Sequence, residues 1–359
     1  MLEVSIKKKL EHFTLESSFT LDAQCLGILG ASGCGKSVTL KCIAGILTPE
    51  EGFIRLNGRT LFDSEKGINL RPQQRKVGYL FQNYALFPNM TVYKNIAAGF
   101  HGEKKELAQR TEELLQLFSL PKLRDSYPKT LSGGEQQRTA LARLLIAEPE
   151  ALLLDEPFSA LDAYLKEALQ IELKELIKKL HVPSVLVTHN RDEVYRLSEK
   201  LLIMEQGHVE QLSGTKELFA KPKTFAAARL TGCKNLAFAA ETQKGLYVPE
   251  WELLFEMPKT DKKSGVPHAV GIRAHDFISR LPEGRKTEYI PISVCIKGIL
   301  ESPFEWNVMF QKQGVSETNH KLLWWKVSKE LINERANLEQ ITTLYIRKTG
   351  IILIFEQEP

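Results

Sequence analysis

Gly30-Ala31-Ser32-Gly33-Cys34-Gly35-Lys36-Ser37 decides how the rest of the chain is read. Before it stands Leu26-Gly27-Ile28-Leu29, an apolar run too short for a helix and suited to a buried strand. After it comes Val38-Thr39-Leu40-Lys41-Cys42-Ile43-Ala44, with apolar residues at helical spacing. Strand, glycine loop and helix form the context in which G-x-x-x-x-G-K-[ST] cradles phosphate. The glycines let successive backbone N–H groups converge on phosphate oxygens, where side chains would intrude. The helix behind the loop turns its positive end toward the same anion. Lys36 can then reach β- and γ-phosphates, and Ser37 can offer its hydroxyl to Mg²⁺. A glycine-rich turn that binds nothing is the alternative for the motif alone; its flanks and the motifs downstream argue against it.

Asp155-Glu156 follows the apolar run Ala151-Leu152-Leu153-Leu154. A strand that buries itself there leaves two carboxylates at its C-terminal end, where α/β sheets bind ligands. Asp155 can hold the Mg²⁺ shell, and Glu156 can orient or deprotonate an attacking water. Ser132-Gly133-Gly134 opens a further helix, with Ser132 as N-cap and Glu135 closing a capping box. A second anion-type helix end cannot serve a nucleotide already lying on the Lys36 loop. Two such ends in one chain make sense if two chains share each nucleotide.

The bulk properties set bounds around these motifs. With 359 residues the chain is long enough for two domains. A net charge of +4 is too weak to argue for nucleic acid, and the basic run Lys7-Lys8-Lys9 reads as a solvated strand end. Five scattered cysteines without a C-x-x-C pair fit a reducing compartment. Cys34 lies beside a helix N-terminus and Lys36, two features that lower a thiol pKa, which makes it a candidate alkylation-sensitive thiol; a small residue that merely fits the loop is the plainer reading of it. The N-terminus lacks the apolar core of a signal peptide, and no run approaches the roughly 18 apolar residues of a membrane span. A membrane role is therefore expected to come through a partner.

Taken in order, residues 2–21 read as two short strands, and 53–56 as a strand entering a turn at Asn57-Gly58. Residues 77–80 form another strand. From 91 to 147 the pattern is mostly helical. Strands at 151–155, 184–188 and 201–204 alternate with helices, which implies a largely parallel sheet covered on both faces. Beyond 232 the composition changes. Short apolar and β-branched runs at 269–273, 290–296, 306–310, 322–327, 343–346 and 351–355 suggest a small β-barrel or sandwich, with one helix at 328–338.

The order of phosphate loop, Gln82, Leu131-Ser132-Gly133-Gly134-Glu135-Gln136-Gln137-Arg138, Asp155-Glu156, Ser159-Ala160-Leu161-Asp162 and His189 resembles the ATP-binding subunits of ABC transporters. The resemblance covers about residues 1–232. It implies an α/β P-loop NTPase fold, in which a RecA-like core carries a helical subdomain at about 91–147. A C-terminal β regulatory domain of the TOBE type, OB/MOP-like, would occupy 233–359. It further implies ATP and Mg²⁺ as ligands and a head-to-tail homodimer with two ATP molecules in its interface. Each nucleotide would lie between one chain's Gly30–Ser37 loop and the other chain's Ser132, Gly133 and Gly134. Gln82 resembles the glutamine that touches Mg²⁺ or the attacking water and reports to the membrane subunit. Asp162 resembles the aspartate linking the two sites, and His189 the histidine at the γ-phosphate. The catalytic set implied is Glu156, His189 and Gln82; the metal set is Ser37, Gln82 and Asp155. Phe13 is the candidate for stacking on adenine, with Phe19 as its rival. Asn190 stands where the family usually has aspartate.

Tyr84-Ala85-Leu86-Phe87-Pro88-Asn89-Met90 looks like the binding-protein-dependent importers, and so does Val270-Gly271-Ile272-Arg273-Ala274-His275-Asp276. That resemblance implies two membrane permease subunits, an extracytoplasmic solute-binding protein acting indirectly, and a peripheral place on the cytoplasmic face of the cell membrane. Tyr84, Phe87 and Met90 are the residues expected to receive a short permease helix. The junction Leu230-Thr231-Gly232-Cys233-Lys234-Asn235 looks most like molybdate importers, with sulfate, iron and polyamine importers as rivals. Arg273, Lys297 and Ser302 are the tail's candidate oxyanion donors. Two other classes stand beside this reading. A soluble ABC-type ATPase acting on nucleic acid or ribosomes would usually carry coiled-coil insertions or two ATPase units. A stand-alone oxyanion binder would leave residues 1–232 without purpose.

Overall fold

The computed structural model describes the chain except residues 101, 160, 162, 256–266, 315–320 and 356–359, and the side chains of 104, 105, 163 and 164. Two compact units divide the chain, Met1–Lys216 and Glu217–Pro359.

The first unit begins with β1 (Leu2–Lys9) and β2 (Thr14–Leu21), whose alternating burial reflects one face packed and one face wet. They join β4 (Glu51–Leu56), β5 (Arg59–Asp63) and β6 (Ile68–Asn69) in an antiparallel sheet of order β2-β1-β4-β5-β6. Lys7 pairs with Glu16 and Lys8 with Glu50, so two of the three charges in the basic run at the end of β1 are paired locally.

Between β2 and β4 run β3 (Cys25–Gly30) and α1 (Lys36–Ala44). The second sheet adds β7 (Val77–Leu80), β8 (Ala151–Asp155), β9 (Ser184–Val187), β10 (Lys200–Glu205) and β11 (His208–Gly214), in the order β11-β10-β3-β9-β8-β7. Every pairing among β10, β3, β9, β8 and β7 is parallel. Strands β3, β8 and β9 are buried at every position, as expected of a parallel sheet covered on both sides. One core joins this sheet to α1 and the antiparallel sheet. A second core joins it to α2 (Val92–Ala97), α3 (Lys104–Leu117), α4 (Gly133–Leu145) and α5 (Ala163–Leu180). Helix α6 (Arg191–Leu197) packs on β3 through Val194 and Ser198, which crowd Gly27.

Fully buried Arg75 holds the other end of α1. Its guanidinium donates to the carbonyls of Cys42 and Ile43 at 2.8 and 2.9 Å, and to Asn69 Oδ1 at 2.8 Å. A cation at a helix C-terminus meets the negative end of the dipole there, which offsets its desolvation.

The division between the units falls within α7 (Thr215–Ala220). Helix α8 (Phe225–Leu230) packs with the second unit, because Ala228 and Phe225 share a core with Cys233, Leu236, Ala269 and Ile354. The second unit is otherwise β-rich and barrel-like. Its strands are β12 (Asn235–Phe238), β13 (Ala240–Thr242), β14 (Gly245–Val248), β15 (Leu253–Phe255), β16 (Pro267–Ile272), β17 (Phe277–Ile278), β18 (Tyr289–Glu301), β19 (Glu305–Lys312), β20 (Leu323–Ser328), β21 (Thr343–Arg347) and β22 (Ile351–Phe355). Strand β18 pairs with β21 along its first half and with β19 along its second, bending at a bulge near Ile296. The core holds Trp251, Phe277, Phe310 and Trp325. Trp325 Nε1 donates to the Phe277 carbonyl at 3.0 Å, so its one polar atom is satisfied inside.

One expectation for the tail is corrected. The helix expected over 328–338 shrinks to α9 (Arg335–Glu339), because Ser328 belongs to β20 and pairs with Glu305. Of the three candidate oxyanion donors, Arg273 and Ser302 already have partners within the tail. Arg273 donates to the carbonyls of Thr231 and Phe219, and Ser302 Oγ accepts from Asn307 Nδ2.

Candidate functional site

The sheet order places four strands side by side, β3-β9-β8-β7, all parallel. Their C-terminal ends carry, in that order, the glycine loop, Thr188-His189, Asp155-Glu156 and Phe81-Gln82. Residues scattered from position 30 to position 189 therefore meet along one edge.

Gly35 takes φ 109° as the residue before α1, a conformation a side chain would strain, and so aims the helix N–H groups into the loop. A Cβ at Gly30 would lie 2.3 Å from the Met204 carbonyl oxygen, so only glycine passes between the loop and β10. Lys36 is 7% exposed, and its Nζ donates to the carbonyls of Gly30 and Ala31 at 2.9 and 2.8 Å.

Ser37 Oγ donates to Asp155 Oδ1 at 2.8 Å, and Tyr79 Oη donates to Asp155 Oδ2 at 2.8 Å. Both oxygens of this buried carboxylate are thereby fixed. Burial first, and then the bond to Asp155, push the Tyr79 phenol well above its ordinary range, so it remains a neutral donor. Glu156 has φ 46°, a left-handed conformation unfavourable for a residue with a side chain. Its N–H donates to the Val187 carbonyl at 2.9 Å. Gln82 Nε2 donates to Glu156 Oε2 at 3.2 Å, and His189 Nδ1 lies 3.3 Å from Glu156 Oε1. One carboxylate thus faces Ser37 and Tyr79, and its neighbour faces Gln82 and His189.

Phe13 is half-buried beside this loop. A Cβ at Gly207 would lie 2.5 Å from its ring and one at Gly35 3.7 Å away. Phe19 is a core residue at 5% exposure, which leaves Phe13 as the aromatic next to the phosphate loop. Ser132, Gly133 and Gly134 lie on another element, at the start of α4. There the capping box forms as expected: Ser132 Oγ accepts from the Glu135 N–H, and the Glu135 carboxylate accepts from the Ser132 N–H at 2.7 Å. Asp162 falls outside the described residues, as does Ala160.

One reading is narrowed here and one expectation is corrected. Burial raises the Cys34 thiol pKa, outweighing the opposing pull of Lys36, which favours the plainer reading of a small residue that fits the loop. Tyr84 is 3% exposed with its hydroxyl on the Pro157 carbonyl, whereas Phe87 and Met90 are exposed and Phe81 joins them. Tyr84 is core, and the apolar surface beside Gln82 is made by the other three. Sequence reasoning missed Tyr79. In the β7–β8 register Tyr79 pairs with Leu153, two residues before Asp155 and on the same face. Only that register carries the signal.

The donors present suit a hard divalent cation: a hydroxyl and a carboxylate oxygen 2.8 Å apart beside a phosphate-type loop. Among the described residues no cluster of three or more His, Cys, Asp or Glu side chains could hold a metal. A cation here would take its remaining oxygens from phosphate and water, as Mg²⁺ at nucleotide sites does.

Residues 16–159 match the family model described as ABC transporter. The spermidine/putrescine import ATP-binding protein PotA of Oleidesulfovibrio alaskensis is 40% identical over 218 residues, covering 60% of this chain and 57% of its own. PotA of Bacillus cereus is 42% identical over 218 residues, covering 60% and 65%. The Fe(3+) ions import ATP-binding protein FbpC 2 of Rhizobium meliloti is 39% identical over 260 residues, covering 72% and 64%. The chain thus spans 57–65% of the length of these curated relatives. Among solved structures, a dimeric ATP-binding cassette in a post-hydrolysis state with ADP and Pi superposes with a TM-score of 0.52 at 26% identity, covering 60% of this chain and 99% of that one. The cbiO1 protein of Clostridium perfringens, part of an ABC transporter complex, gives 0.53 at 27% identity, covering 64% and 94%. The fold is that of an ABC ATPase α/β core followed by an all-β C-terminal domain.

Proposed function

We propose that the chain is the ATP-hydrolysing subunit of an ABC importer. The observation that carries this reading is the meeting of the Lys36 loop, Asp155, Glu156, Gln82 and His189 at four adjacent strand ends. The loop N–H groups and Lys36 bind the β- and γ-phosphates, Lys36 turning from its loop carbonyls to phosphate oxygens. Ser37 and Asp155 would hold Mg²⁺, which when bound neutralises phosphate charge. Glu156 orients the attacking water and accepts a proton from it as the water oxygen bonds to the γ-phosphorus and the bond from that phosphorus to the β–γ bridging oxygen breaks, releasing ADP and phosphate. Gln82 and His189 hold the Glu156 carboxylate from either side, and His189 faces the γ-phosphate. Phe13 stacks on adenine.

The second anion-type helix end, Ser132 to Gly134, belongs in this reading to the partner's nucleotide, as does Asp162. Two chains then close head-to-tail over two ATP molecules, and the closure drives two permease subunits. Phe81, Phe87 and Met90 form the apolar surface that receives a permease helix. The chain itself has no described helix long and apolar enough to cross a membrane, so its place at the cytoplasmic face depends on that contact. The second unit, whose core starts near α8, serves as a regulatory β-domain.

For the solute, the names of the relatives support a polyamine or ferric iron better than molybdate. The tail favours neither, since Arg273 is engaged by carbonyls rather than open to an oxyanion. The test is uptake of spermidine, putrescine, ferric iron and molybdate by cells carrying Lys36→Ala in place of the native chain. Loss of one solute's uptake would identify the cargo. Unchanged uptake of every solute that the native cells import, with ATP hydrolysis abolished, would favour a soluble ATPase.

A further inference from the structure

One buried carboxylate joins the end of β9 to the start of α5. Glu193 lies in the first turn of α6 and is 2% exposed. Its Oε2 accepts from Thr188 Oγ1 at 2.5 Å, and its Oε1 lies 2.6 Å from Lys166 Nζ. Thr188 directly precedes His189, and its Oγ1 also accepts the Asn190 N–H at 3.0 Å. The backbone on both sides of His189 is therefore tied to one hydroxyl, and that hydroxyl to Glu193. The His189 ring itself is exposed and reaches Glu156 at 3.3 Å.

Capping does not explain Glu193. The Asn190 side chain already caps α6, accepting from the N–H groups of Asp192 and Glu193. A carboxylate buried to this degree is unfavourable unless it is paired and hydrogen-bonded. Here each oxygen has its own partner, and the two partners come from different elements: Thr188 from the strand end and Lys166 from α5. In sequence, α5 follows directly on the segment 159–162.

We infer that Glu193 is a positioning residue that holds His189 in register with the first turns of α5, through Thr188 on one side and Lys166 on the other. This rests on the ATPase reading only for its kinetic consequence. The placement of His189 is a property of the chain without nucleotide. A shift of the first turns of α5 then moves His189 relative to Glu156.

The test uses the full-length chain with Glu193→Gln and Lys166→Met. The ring resonance of His189, assigned by its loss in His189→Ala, is expected to shift in both variants. Turnover of ATP should fall by roughly ten- to a hundred-fold in Glu193→Gln, as for a misplaced group, with KM and nucleotide affinity nearly unchanged. In the His189→Ala background Glu193→Gln should cause no further loss, since both changes then act on the same step. An unshifted His189 resonance, or the same fold-loss with and without His189, would overturn the inference. So would a loss of nucleotide affinity as large as the loss of turnover. If Glu193→Gln does not fold, Lys166→Met carries the same resonance test with the Thr188 bond left in place. A wild-type chain that does not hydrolyse ATP would refute the ATPase reading, while the resonances would still decide the linkage.

Discussion

Ser37 and Asp155, 118 positions apart in sequence, meet through a hydrogen bond of 2.8 Å from the serine hydroxyl to Oδ1. Oδ2 of the same carboxylate is taken by Tyr79 at 2.8 Å. The orientation of Asp155 is therefore set by β7 as well as by the phosphate loop.

Replacing Tyr79 by phenylalanine should remove the donor at Oδ2 and leave a buried acceptor short of one partner. Such a loss costs about 1–3 kcal/mol. Urea denaturation near neutral pH should show it, and nucleotide binding should need more Mg²⁺ to reach half-saturation. The sign of the pH dependence follows from the raised phenol pKa. The folded chain favours the protonated phenol, so the stabilisation is complete below the ordinary value of 10.0 and fades at higher pH. The stability gap between wild type and Tyr79→Phe should therefore narrow above pH 10. An unchanged midpoint near neutral pH would contradict the assignment.

Cys34 gives a prediction opposite to the one its neighbours in sequence suggest. Burial holds its pKa above the ordinary 9.0, so its thiolate is scarce near neutral pH. Cys295 is exposed. Iodoacetamide followed by peptide mapping should modify Cys295 first, with Cys34 gaining reactivity only as the pH rises past 9. Equal labelling of the two near neutral pH would show Cys34 to be activated.

Shared nucleotide sites predict complementation between two inactive variants. Ser132→Arg should abolish hydrolysis while the isolated chain still binds nucleotide, because the new side chain would occupy the partner's γ-phosphate position. Lys36→Ala should abolish hydrolysis by failing to bind. Mixed, the two variants should regain part of the wild-type rate, since one site of the mixed dimer has both an intact loop and an intact Ser132. A mixture with no recovery, or a Ser132→Arg chain that cannot bind nucleotide alone, would count against sharing.

The phosphate loop and the Ser132–Glu135 capping box were legible in the sequence because their parts are neighbours along the chain. So were the buried strands β3, β8 and β9, whose apolar runs declare them. The order β3-β9-β8-β7 was not, because it rests on pairings between strands far apart in sequence. Hence Asp155 and Glu156 could be named as carboxylates at a strand end, while Tyr79 and Glu193, which act through register and packing, were passed over. Cys34 looks activated in the sequence because Lys36 and the helix start are visible there and burial is not. In the tail, Ala240–Thr242 and Leu253–Phe255 are too short to show alternation. The helix expected over 328–338 shortens because Ser328 belongs to the β19–β20 ladder and a turn at 329–331 follows it.

If Glu156 activates water at a site closed by two chains, Glu156→Gln separates the closure from the chemistry. Light scattering with and without Mg-ATP gives the assembly state, and phosphate release gives the turnover. Glu156→Gln should bind Mg-ATP, become a stable dimer in its presence, and turn over about 10²–10⁴-fold more slowly than wild type, the range expected for loss of a general base. Wild-type turnover in the variant, or a chain that stays monomeric with Mg-ATP bound, would contradict this reading.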